Sequence, residues 1–169
     1  SYEKGVGALE KKDYGKAIEE LKLSEKKLKR GKINNHGLNF SRGQLSIAYL
    51  CSGEKSKLGQ VKRNLRNITN KLFESRDWTY NMAVANYDYA TKTLIRLNPG
   101  SDKWITKAKQ SEFLKDAIKL FKLTIKHDKL YLTPYQNLSY IYKELGDENK
   151  AEKYQKLFNK RRDELIRSF

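Results

Sequence analysis

TPYQNLSYIYKELGDENKAEKYQKL, running from Thr133 to Leu157, decides the reading of this chain. Thr133 is placed to cap a helix, with Pro134 in the first turn and Gln136 completing a T-x-x-Q capping box. Leu138, Tyr142 and Leu145 then recur at helical spacing, and Gly146 offers a residue without Cβ where the helix must stop. Asp147 opens a second helix that carries Ala151, Tyr154, Leu157 and Phe158 on one face. The pattern predicts a helical hairpin in which the small Ala151 lets the two helices approach closely.

The same order of residues resembles the tetratricopeptide repeat, a helix–turn–helix unit of about 34 residues. Tyr135, Leu138, Ser139, Tyr142, Gly146, Asp147 and Ala151 stand where that pattern has an aromatic, Leu, a small residue, Tyr, Gly, Asp and Ala, and Ala117 lies one period before Ala151. An internal echo supports the resemblance. QLSIAYLCSGEKSK (Gln44 to Lys57) agrees with NLSYIYKELGDENK (Asn137 to Lys150) at Leu, Ser, Tyr, Gly, the acid and Lys. The N-terminal KKDYGKAIEEL repeats the turn, acid, aromatic and Ala order at Asp13, Tyr14 and Ala17.

The resemblance implies an all-α solenoid of helical hairpins, a right-handed superhelix with about three repeats, one inserted helix and a C-terminal extension. At 169 residues the chain fits a single domain. Helical pairs are expected at about 1–31, 38–75, 101–128 and 132–166. In the third pair, Trp104–Lys109 is the short first helix and Glu112–Lys126 its partner. Residues 77–97 are apolar on more than one side (Trp78, Met82, Val84, Tyr87, Tyr89, Leu94 and Leu97) and carry no repeat signature. They read as an inserted or degenerate helix packed inside the stack.

Lys and Arg number 36 against 20 acids, a net charge of +16 that favours acidic partners. Cys51 is the only cysteine, which excludes an internal disulfide and a cysteine-based metal site. His36 and His127 have no ligand-spaced companions, and no glycine-rich phosphate loop or G-x-S-x-G stretch occurs. No enzyme, cofactor or metal is therefore expected. No apolar run approaches a membrane span and no signal-peptide pattern is present, so a soluble domain of undetermined compartment is expected.

What remains is binding. In the family, the first helix of each pair lines a concave groove. Carried over residue by residue, the resemblance places Phe40, Gln44 and Ile47 in that groove in one repeat. It places Gln136, Asn137, Tyr140 and Lys143 there in the last. Some relatives clamp a carboxylate with Lys, Asn and Arg, but Ile47 and Leu50 occupy places where polar clamp groups belong. The resemblance thus implies a non-catalytic scaffold that grips a protein or peptide through apolar anchors, with acidic flanks on the partner. The competing view is that Phe40, Ile47 and Leu50 pack under the 77–97 helix.

Basic residues gather on second helices instead. Between Lys55 and Phe73 there are six of them and no acid, among them Lys55, Lys62, Arg63 and Arg66. Lys115, Lys119, Lys122 and Lys126 form a second stripe. Such faces suit an alternative role, an electrostatic adaptor on an anionic surface: an acidic protein, membrane headgroups at the periphery, or nucleic acid. The absence of aromatics between these lysines disfavours nucleic acid. Pairing of an exposed apolar end with a second copy is a further option.

Overall fold

Among the residues that the computed structural model describes, every regular element is a helix. The described residues are 1–31, 35–67, 75–97 and 111–169, apart from the side chains of 35, 36, 62, 65–67 and 92–97. The helices fall into two compact units, Ser1–Phe73 and Glu74–Phe169, where the sequence alone suggests one domain. In a stack of nearest-neighbour contacts, no hydropathy signal marks where one set of contacts ends.

The first unit contains α1 (Tyr2–Glu10), α2 (Tyr14–Arg30), α3 (Asn35–Ser52), a 3-10 turn at Lys55–Lys57 and α4 (Leu58–Asn67). Each helix packs on its successor. The second unit contains α5 (Arg76–Leu97), α6 (Glu112–His127), α7 (Thr133–Glu144) and α8 (Glu148–Arg167), packed in the same consecutive way. Among the described residues the fold class is the expected one, all-α and built of consecutive helical hairpins.

The hairpin turns explain why the repeat signature has its spacing. After α7, Gly146 takes φ +75°. Its N–H donates to Lys143 O at 3.0 Å and the Asp147 N–H to Tyr142 O at 2.9 Å, the paired bonds of a Schellman motif. Asp147 then caps α8 by accepting from the Lys150 N–H at 3.1 Å. The turn after α1 has the same design. Lys12 N–H donates to Leu9 O at 3.0 Å, Asp13 N–H to Ala8 O at 2.9 Å, and Asp13 caps α2 through the Lys16 N–H at 3.2 Å.

One residue is out of place in this comparison. Lys12 sits at φ 59° where the other turn has glycine, and a side chain in that region costs roughly 1–2 kcal/mol. Lys12→Gly should therefore raise stability by about 1 kcal/mol in urea unfolding. A loss of stability would show that the turn is not held as described.

One expectation for local structure changes. Thr133 does not cap α7: the cap position is Leu132, with no side-chain bond, and Thr133 is already helical. Its side chain lies near the Tyr131 phenol instead. The start of α7 is fixed by Tyr135, whose hydroxyl donates to Lys129 O at 2.9 Å. The helix expected at 77–97, inserted or degenerate, is α5, and it lies along α6. Trp104–Lys109 lies outside the described residues. Ala83 and Ala90, two turns apart, bring α5 close to Ala117 and Phe121 in the core of the second unit. No described helix is long and apolar enough to cross a membrane.

Candidate functional site

In the second unit, α5 and α7 flank a cavity of about 230 Å³. Helical spacing aligns its walls. Tyr80, Val84, Tyr87 and Asp88 come from α5, Asn137, Tyr140 and Ile141 from α7, and Phe121 of α6 lies beneath.

Tyr80 is the fixed side of this groove. Its hydroxyl accepts from Asn137 Nδ2 at 3.2 Å. Its ring meets Phe121 at 5.8 Å between centroids and Tyr131 edge-on at 5.2 Å. The Arg76 guanidinium covers Tyr131 at 4.6 Å and donates to Asp128 at 2.7 Å and Asp77 at 2.9 Å. A chain of contacts from Asp128 through Arg76, Tyr131 and Tyr80 thus holds the Asn137 amide in place.

Tyr140 is the open side, 56% exposed at the rim. Between them stands Tyr87, whose phenol is pushed up to about 12, first by burial and then by Tyr140, Glu144 and Asp88. It therefore remains a neutral hydrogen-bonding group at any physiological pH. The groove combines aromatic walls with phenol and amide groups that can donate or accept.

The expected groove residues are placed unevenly. Asn137 and Tyr140 line the cavity, while Gln136 and Lys143 are exposed on α7 outside its lining. In the first unit, Phe40 and Gln44 are half-buried, and Gln44 lies near the Tyr2 phenol. Ile47 is only 5% exposed, within a run from Leu45 to Leu50 that is buried throughout, so it presents no surface to a partner. Its burial follows from a helix apolar on several sides.

Of the basic cluster, Lys55 and Arg63 are exposed, with Arg63 donating to Gln60 Oε1 at 3.1 Å. The side chains of Lys62 and Arg66 lie outside the described residues. The residues missed from sequence are those of α5. Tyr80, Val84 and Tyr87 recur at helical spacing, but they belong to a helix with no repeat signature. Asp88 and Glu144 also matter, because they set negative charge near the Tyr87 phenol. Among the described residues, no group of His, Cys, Asp or Glu could hold a metal ion.

No protein-family model matches the chain, and no curated protein does so. Among solved structures, the crystal structure of MamA is similar over 96% of each chain, at 20% identity and a TM-score of 0.33.

Proposed function

We infer that the chain is a non-catalytic protein-interaction module whose α5–α7 groove receives an apolar side chain of a partner polypeptide. The observation that carries this reading is Tyr140, a large exposed aromatic beside a cavity whose opposite wall carries Tyr80, held by the Asn137 amide. Exposed aromatics at the edge of a preformed cavity are the usual anchors of binding energy. The electrostatic adaptor is the second reading, and it draws on the exposed lysines of the second helices.

Affinity capture with the full chain, followed by titration of the captured partner, tests the groove. Tyr140→Ala should weaken binding by roughly 30-fold, the loss of a hot spot of about 2 kcal/mol. Apolar binding should survive a rise to about 1 M salt, where the Debye length is about 3 Å. Unchanged affinity in Tyr140→Ala, with binding abolished by salt, would replace the groove with the electrostatic reading.

A further inference from the structure

A second groove lies in the same unit, on the side formed by α6 and α8. Its floor is apolar and aromatic: Ile125 of α6, Tyr135 of α7, and Tyr154 and Leu157 of α8. Around that floor stand Lys122, Lys126, Lys129, Lys153 and Arg161, and no acidic residue lines it. The volume is about 340 Å³.

The charges here are largely uncompensated. Arg161 is paired with Glu164 at 2.7 Å, whereas no carboxylate lies within salt-bridge distance of Lys122, Lys126, Lys129 or Lys153 among the described residues. Lys122 and Lys153 lie over the Tyr142 and Tyr154 rings, at 5.7 and 5.9 Å from the centroids. A basic rim around an apolar floor does not resemble a fully solvated lysine face. The first groove, with Asp88 in its wall, has the opposite character.

We propose that this α6–α8 groove is a separate docking site for an acidic segment of another protein, one that seats an apolar side chain on Leu157 and Ile125 between flanking carboxylates. Charge complementarity selects the flanks, and the floor selects the anchor. The basic surplus and the acidic partner expected from composition are thereby assigned to a site away from the Tyr140 groove. Two polypeptide contacts could then be made on one unit, each through its own side chains.

Fluorescence anisotropy on the full chain tests the assignment with short labelled Glu-rich peptides, one with a central Phe and one without. The Phe peptide should bind about tenfold tighter than its all-Glu counterpart. Lys126→Glu with Lys129→Glu should weaken it by about tenfold or more, whereas Lys26→Glu with Lys27→Glu, exposed on α2, removes the same charge and should change it less than about twofold. Leu157→Gln should erase the advantage of the Phe peptide, with retained helical circular dichroism confirming that the variant is folded.

Equal affinity for the two peptides, or equal loss in both charge-reversed pairs, would reduce the site to general attraction and overturn the proposal. Binding to phosphatidylserine-containing vesicles without binding to either peptide would overturn it in favour of a membrane surface. Because none of these variants touches Tyr140, failure here leaves the α5–α7 groove reading to its own test.

Discussion

Phe121→Ala should destabilise the second unit by about 3–5 kcal/mol, the range for removing a fully buried phenylalanine. Phe121 is 1% exposed and is the largest of the fully buried side chains among the described residues. It sits on α6 in the same core as Ala83 and Ala90 of α5 and Leu138 and Ile141 of α7. These alanines are too small to fill the space that its ring would vacate, so the cavity should persist and the cost should lie above that of transfer alone. Against a typical total stability of about 5–15 kcal/mol, this is a large fraction. Urea unfolding followed by circular dichroism measures it. A loss below about 1 kcal/mol would mean that α5, α6 and α7 do not share this core. The ring also underlies Tyr80 and the groove, so partner affinity should fall with stability.

Leu21→Ala should cost about 2–5 kcal/mol in the first unit, and its interaction with Gly5 tests the packing more sharply. Leu21 is 0% exposed, and a Cβ built on Gly5 would lie 2.6 Å from Leu21 Cγ and 2.9 Å from its Cδ2. Two effects oppose each other in Gly5→Ala. Alanine is favoured over glycine inside a helix by roughly 0.5–1 kcal/mol. Overpacking a filled site costs roughly 1–3 kcal/mol. With Leu21 unable to move into solvent, overpacking should win and Gly5→Ala alone should destabilise. In the Leu21→Ala background most of that cost should vanish, leaving only the 3.3 Å approach to the Leu21 nitrogen. A double-mutant cycle measures the difference. Strict additivity would show that α1 does not cross α2 at this point.

The same small-residue crossing recurs at the other end of the chain. There Ser139 faces Ala151 and its hydroxyl donates to Ala151 O at 2.9 Å. Ala17 and Ala151 each lie four residues after a capping Asp, at Asp13 and Asp147, which is why the repeat pattern could be read from residue identities. The groove was only half legible. Asn137 and Tyr140 follow from the hairpin to which they belong, whereas Tyr80, Val84 and Tyr87 do not. The apolar surface of α5 extends over several faces and does not declare which one meets α6.

Residue order alone made legible the all-α class, the hairpin turn at Gly146 and the helix start at Asp147, because each depends on groups within a few residues of one another along the backbone. It also established the basic surplus. Folding in space settled which helix accompanies α6, where the Thr133 side chain lies, and that Ile47 is withdrawn from the surface. It also sorted the charges, setting Asp88 in one groove while Lys126 and Lys153 gather around the other. These outcomes depend on side chains far apart in the chain competing for the same volume. Local periodicity carries no record of that competition.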